Sequence, residues 1–215
     1  MKLAKPSYMI LTPIDSNAIL KFLEVCTRTA YKSEDKITEG SDRKLIASIL
    51  ERGHEAVIEH YSLTVKFVCD RGISHELVRH RLASFTQEST RYCNYGKDKF
   101  GGEITVIEPF YLDKHSAGYG TWEISCRQAE KAYFDLLEFG CRPEEARAVL
   151  PTCLKTEVVM TADLREWRHF FKLRCSEAAH PQMRELARPL LKELHAQIPV
   201  IFDDVYAEVF RETEE

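Results

Sequence analysis

Apolar residues recur along this chain in two spacings, and the switches between them mark its elements. Ile19, Leu20, Phe22, Leu23 and Cys26 follow Asp15-Ser16 at three- and four-residue intervals, which predicts an amphipathic helix capped at its start. Ser41-Asp42 opens a second, carrying Leu45, Ile46, Ile49 and Leu50 and stopping near Gly53. From Tyr61 to Phe67 apolar and polar residues alternate, the pattern of a half-buried strand. Ser74 is the expected cap of a short helix through Glu76, Leu77 and Val78, and Thr86 to Tyr92 reads as a loop. Gly101-Gly102 precedes a strand over Glu103 to Ile107, and a long helix runs from about Thr121 to Phe139 with Gly140 as its stop. Pro143-Glu144-Glu145 makes a first helical turn, since proline loses no needed donor there and carboxylates suit the helix dipole. That helix ends at Leu150-Pro151. Leu154 to Thr161 is strand-like, Asp163 caps a helix over Arg165 to Arg174, and Pro181 to Ile198 forms one more. Strands and helices mix without regular alternation, which predicts an α+β fold: a small antiparallel sheet packed with several helices. No Pro/Gly/Ser-rich linker divides residues 1–215, so a single domain is expected.

Composition narrows the class. At 215 residues, with 44% hydrophobic and 30% charged, the chain suits a soluble globular protein. Nothing approaches a run of about 18 apolar residues, so no membrane span is expected. Seven cysteines, odd in number and without a Cys-x-x-Cys pair, indicate neither a disulfide framework nor a cysteine zinc site. Free thiols and the lack of a secretory signal predict a cytoplasmic protein.

Against a net charge of -4, the stretch Arg79-His80-Arg81-Leu82-Ala83-Ser84-Phe85-Thr86-Gln87-Glu88-Ser89-Thr90-Arg91 packs three arginines, a histidine and four hydroxyls into thirteen residues. Guanidinium forks match phosphate or carboxylate in bidentate fashion. Hydroxyls and a carboxamide between them orient a polar ligand, so an anionic small molecule is the expected occupant. No Gly-x-Gly-x-x-Gly or Walker loop is present, so side chains must meet any phosphate.

The spacing Arg79-His80-Arg81, Ser84, Ser89, Arg91 resembles the signature of the flavin-dependent thymidylate synthases. Gly53-His54-Glu55 with Glu59-His60, the segment Glu145 to Pro151, and the block Leu164 to Arg174 resemble that family's other segments, so the similarity runs from about Thr12 to about Val205. The resemblance implies reductive methylation of dUMP to dTMP, with FAD as cofactor, 5,10-methylenetetrahydrofolate as one-carbon donor and NADPH as reductant. It implies no cysteine nucleophile, and sites formed between the subunits of a homotetramer. By position, His54, Arg79, His80, Arg81, Gln87, Asp163, Arg165 and His169 would contact FAD. Glu76, Arg79, Gln87, Glu88, Ser89, Thr90, Arg91, Arg147 and Arg174 would surround the nucleotide. Arg174 would polarise the uracil, and Ser89 would lie against the base. Ala56, Glu76, Asp163 and His169 stand where relatives often carry Ser or Thr, Gln, Asn and Asn respectively.

Two other readings compete. A metal-dependent nucleotide phosphohydrolase would use His54, His60 and nearby carboxylates, although their spacing is not His-Glu-x-x-His. A nucleic-acid-binding module would use the arginines with Phe85, Tyr92 and Tyr95, but a pI near 6.1 speaks against a broad basic face. The sequence is therefore read as having no metal site, no nucleic-acid partner and no membrane partner.

Overall fold

The computed structural model describes residues 1–97 and 101–211. The chain runs β1 (Lys2–Ala4), β2 (Ser7–Ile10), α1 (Ser16–Thr29), α2 (Ser41–Glu51), β3 (Ser62–Asp70), α3 (Arg71–Leu77) and β4 (Ala83–Gln87). It continues through β5 (Thr105–Ile107), α4 (Ala117–Glu138), α5 (Pro143–Ala146), β6 (Lys155–Asp163), α6 (Leu164–Arg174), α7 (Pro181–Gln197) and α8 (Pro199–Arg211). Short 3-10 turns occupy Glu34–Lys36, Glu55–His60 and Arg147–Val149. Four strands form one sheet ordered β2-β3-β6-β4, and β1 pairs with β5 in a separate parallel pair. β3 and β6 are antiparallel: the Leu164 N–H donates to the Tyr61 carbonyl at 2.9 Å, and the Thr64 and Thr161 hydroxyls meet at 2.9 Å. Leu63, Val65, Phe67 and Cys69 along β3 are fully buried, which is the expected period of two. The α+β reading holds.

Residues fall into two compact units. The first comprises Met1–Ser7, Phe67–Arg79 and Phe85–Val159, and the second comprises Tyr8–Lys66, His80–Ser84 and the chain from Met160 on. In the first, Tyr95, Ile104, Val106, Cys126, Tyr133, Ala146 and Leu154 make one core cluster. In the second, the buried face of α6 sets Trp167, Phe170 and Phe171 against one another, and Phe171 against Phe202 of α8 at 5.8 Å. Each such ring contributes about 1.5–3 kcal/mol through burial. The Trp167 indole N–H is satisfied by the Leu63 carbonyl at 3.2 Å.

Arg168, 1% exposed, is the polar centre of the second unit. Its guanidinium donates to both Asp204 oxygens at 2.6 Å, to Glu55 Oε1 at 2.8 Å and to the Ile201 carbonyl at 2.5 Å. It thereby ties the 55–60 turn and α8 to α6.

Several local expectations are corrected. Ser74 lies inside α3 and does not cap it. Asp70 is the cap and accepts from the Ile73 N–H at 2.6 Å, while the Ser74 hydroxyl donates back to the Arg71 carbonyl at 2.8 Å. Ser41 does open α2, but Gly40 at φ 74 precedes it without a side-chain cap. Thr86 and Gln87 belong to β4, so the loop begins at Glu88. The helix expected from Thr121 starts four residues earlier, where Ser116 accepts from the Tyr119 N–H. Asp15 and Asp163 cap α1 and α6 as expected.

Candidate functional site

In the second unit, one helix arranges most of the chemistry. The Asp163 carboxylate accepts from the Glu166 N–H at 2.8 Å and starts α6. With Trp167 and Phe170 turned inward, the helical period leaves Glu166 and Arg174 to meet His80. His80 is buried, with 5% of the residue exposed. Its Nδ1 lies 2.7 Å from Glu166 Oε1, and Arg174 Nε donates to its Nε2 at 3.1 Å. A guanidinium can only donate, so Nε2 must be the acceptor and Nδ1–H the donor to Glu166. Burial pushes the imidazole below its ordinary value; the Glu166 bond opposes this, and the Arg174 cation adds to the lowering. His80 is thus a neutral histidine in a fixed tautomer that aims a guanidinium. Its ring also packs edge-on against Phe170 at 5.1 Å and His169 at 5.8 Å.

Beside this triad lies a cleft of about 470 Å³ lined by Glu55, Glu59, Leu82, Asp163, Arg165, Glu166, His169 and Lys172. Arg165 is tied to Glu59 at 2.5 Å. Leu82 holds φ 63 and is 82% exposed. A leucine in left-handed backbone costs about 1–3 kcal/mol and marks a functional clamp more often than chance. The cleft therefore presents an apolar side chain and an imidazole beside cations and carboxylates.

The first unit holds a second constellation. A pocket of about 320 Å³ is lined by Arg71, His75, Thr90, Arg147, Ala148, Leu150, Pro151 and Thr152. Arg147 Nη1 donates to the buried Thr90 hydroxyl at 3.3 Å. Arg71 Nη1 is buried and has no hydrogen-bond partner among the described residues. A buried cationic donor without an acceptor is costly, and no carboxylate among the described residues lines this pocket. The donor set is that of an anion site.

The structure thus brings together His80, Asp163, Arg165, His169 and Arg174 in one unit, and Thr90 with Arg147 in the other. Other expected residues are placed differently. Gln87 turns its amide inward, donating to Ser74 at 2.8 Å and Thr156 at 3.3 Å. Glu88 accepts from Lys155 at 3.1 Å and from the Tyr95 hydroxyl at 3.3 Å. Ser89 Oγ accepts from the Arg91 N–H at 3.3 Å, and Arg91 lies 3.8 Å from Glu144. His54, Arg79 and Arg81 are exposed, and Glu76 is half-buried on α3. Sequence reasoning missed Glu166, Arg71, Leu82 and Lys172 as site residues. Asp163-x-x-Glu166 has the spacing of a capping box, which hides Glu166's second role. Nothing in the sequence distinguishes Arg71 from any arginine at a strand–helix junction.

Within an α+β frame, one unit holds a buried histidine that orients an arginine and the other holds a pocket with the donors of an anion site, two arrangements suited to anionic ligands. Residues 11–200 match the family model described as thymidylate synthase complementing protein, so the chain belongs to that family. Among curated relatives it is 36% identical over 164 residues to the flavin-dependent thymidylate synthase of Pyrococcus abyssi, covering 76% of this chain and 66% of that protein. It is 32% identical over 196 residues to the enzyme of the same name from Geobacter sulfurreducens, covering 90% and 83%. The chain thus spans just under two thirds of the archaeal relative's length. Its fold is also that of a UMP/dUMP methylase of Streptomyces cacaoi, solved with 5-Br dUMP: the TM-score is 0.76 at 23% identity, covering 99% and 97% of the two chains.

Proposed function

We propose that this protein is a flavin-dependent thymidylate synthase. It methylates carbon 5 of dUMP to give dTMP, with FAD as cofactor, 5,10-methylenetetrahydrofolate as one-carbon donor and NADPH as reductant. The observation that carries the reading is the fixed Arg174 guanidinium, held by the unprotonated Nε2 of a buried neutral His80. Carbon 5 of uracil is a poor nucleophile, so negative charge developing on the ring must be met by a donor already in place. Arg174 supplies it without reorganisation, because Glu166 locks the histidine that aims it.

The donor sets fit the groups this chemistry needs. The orphaned Arg71 Nη1, with Arg147 and Thr90, suits the phosphate of a nucleotide. The second unit's cleft suits part of a flavin dinucleotide: Arg165 and Lys172 for phosphate, Glu55 and Asp163 for hydroxyls, Leu82 and His169 for a flat ring. Flavin, when bound, supplies the hydride chemistry. Ser89, whose Oγ sits in a local turn with Arg91, serves as a neutral contact to the base. The same reading takes the chain as one catalytic domain working as a homotetramer in a reducing cytoplasm, with Arg79, Arg81 and His54 reaching flavin. Light scattering of the purified protein tests the tetramer.

The phosphohydrolase reading loses its donors. His80, Glu166 and His169 are the described residues close enough to share an ion, and neither His54 nor His60 is among them. Both His80 nitrogens are already bonded, one of them to a cationic guanidinium that would repel a metal.

The test is the visible spectrum of the protein with FAD, before and after NADPH under argon, followed by assay of dTMP formation. A retained flavin that bleaches and supports turnover is expected; a colourless, inactive protein removes the reading. In the same assay Arg174→Ala should keep flavin and lose about 10²–10³ in turnover, the usual size for removing a preorganised donor. Unchanged turnover would remove the polarising role.

A further inference from the structure

Cys126 and Cys153 bring their sulfurs to 3.3 Å. Cys126 is buried on α4 with 2% exposure, while Cys153 is half-buried just ahead of β6. Trp122, one turn before Cys126 on the same face of α4, also directs its side-chain donor at the Cys153 sulfur. The hydrogen bond from Cys126, then that from Trp122, holds the Cys153 thiol below its ordinary value against the effect of burial. Cys126 is raised by the same sulfur–sulfur contact and by burial, and stays a thiol. A half-buried sulfur 3.3 Å from a fully buried one is the arrangement of an attacking and a resolving cysteine.

We propose that Cys126 and Cys153 form a redox modification site, converted by peroxide into an intramolecular disulfide. The Cys153 thiolate attacks one peroxide oxygen; the O–O bond breaks, and with one proton taken up the products are Cys153 sulfenic acid and water. The Cys126 sulfur then attacks that sulfenic sulfur. The S–S bond forms, the S–O bond breaks, and the departing hydroxide leaves as water with the Cys126 proton. Two thiols lose two electrons in total, and one peroxide becomes two waters.

The modification reaches the anion pocket through the backbone. The Arg71 N–H donates to the Thr152 carbonyl at 3.0 Å and the Leu154 carbonyl at 3.1 Å, the residues on either side of Cys153. Thr152 itself lines the pocket with Arg71, Thr90 and Arg147. Closing the sulfurs from 3.3 Å to a bond of about 2.05 Å draws this peptide towards α4. It also ties off the 126–153 loop, which carries Arg147. Oxidation therefore weakens nucleotide binding, a consequence that rests on the proposed nucleotide pocket, whereas the disulfide itself does not.

The experiment treats the purified protein, with FAD present, with a small excess of hydrogen peroxide. Remaining thiols are alkylated with iodoacetamide, and the protein is digested without reductant for mass spectrometry. A Cys126–Cys153 linked peptide is expected as the first oxidation product, reversed by dithiothreitol and absent in Cys153→Ser. Recovery of both residues alkylated while Cys26, Cys93 or Cys141 oxidises would overturn the site, as would Cys153 sulfinic acid accumulating without a link. Cys126→Ser alters a packed core; Cys153→Ser, at a half-buried position, keeps the test open if that variant does not fold. Calorimetric titration with dUMP then reads the coupling: about fivefold or more weaker binding after oxidation, the low end of typical site–site coupling, restored by dithiothreitol and unaffected by peroxide in Cys153→Ser. If the reduced protein binds no dUMP, the nucleotide reading fails and the peptide map still decides the disulfide. If reduced and oxidised forms bind equally, the coupling is overturned.

Discussion

The two units treat their arginines in opposite ways. In the second, Arg168 is saturated by Glu55, Asp204 and a carbonyl, Arg165 is tied to Glu59, and Arg174 is spent on His80. In the first, Arg147 makes one long bond to a neutral hydroxyl, and Arg71 has a buried nitrogen with no partner among the described residues. A buried guanidinium saturated as Arg168 is builds scaffold, while the partners of Arg165 and Arg174 fix where those two point. Unsatisfied ones, kept dry, are what a folded chain leaves where an anion completes the structure. The contrast separates positioning from binding more clearly than the arginine count does.

Four perturbations bear on that contrast. The largest effect is expected for Arg168→Met, which strands Glu55 and Asp204 around a buried apolar chain. Because Asp204 is 59% exposed and regains water, about 2–4 kcal/mol is expected, somewhat below the loss from a fully buried pair. The urea midpoint should fall accordingly, and an unchanged midpoint would mean the network is not scaffold. Arg71→Ala should do the reverse. Stability holds or rises, because a buried unpaired donor is removed, while dUMP affinity falls by about 1.5–3 kcal/mol, the value of a charge-assisted bond. Deoxyuridine, lacking the phosphate, should bind wild type and variant alike; equal losses for both ligands would put Arg71 away from the phosphate.

A graded effect concerns His80. Its folded pKa lies below the unfolded value of about 6.5, so the unfolded state takes up a proton first. The neutral ring's contribution is fully present above that value and is lost as pH falls through the folded one. Wild type should therefore lose more stability between neutral pH and pH 5 than His80→Asn does, measured by denaturant titration at each pH; parallel pH profiles would contradict the buried neutral histidine. Smallest is Asp163→Ala, about 1 kcal/mol for a lost helix cap, read as a small fall in melting temperature, together with weaker flavin binding because the same carboxylate is proposed to meet a flavin hydroxyl. Unchanged flavin affinity would leave Asp163 as a helix cap alone and remove it from the cofactor site.

Much of this was legible in the sequence, and the gaps have physical causes. Periodicity located α1, α2, α4, β3, β6, α6 and α7 because each buries one face, and Asp15 and Asp163 announced their caps. α8 was not foreseen, although Ile201, Phe202, Val205 and Val209 have helical spacing and are buried; only one residue, Ile198, separates it from α7, and Pro199 reads as a stop until it is recognised as a first helical residue. β1 and β2 are three and four residues long, too short for alternation to register. At the site, residue types were readable and partnerships were not. Arg165, Arg168 and Arg174 look alike in the sequence, yet one lines a cleft, one is core and one is aimed by a histidine 94 positions earlier. Pairing over such distances is set by packing, which no local pattern encodes.

Leu82 carries a lesson for anyone breeding this protein in the laboratory. Its backbone sits where glycine or asparagine rests easily, and its side chain lies almost wholly in solvent. A library screened for heat resistance alone would drift to Gly or Asn at position 82, because relief of the backbone is rewarded and the lost apolar surface goes unnoticed. If Leu82 meets the flavin as proposed, adding flavin retention to the screen would hold leucine in place. Position 82 thus reports which pressure a population of variants has been under.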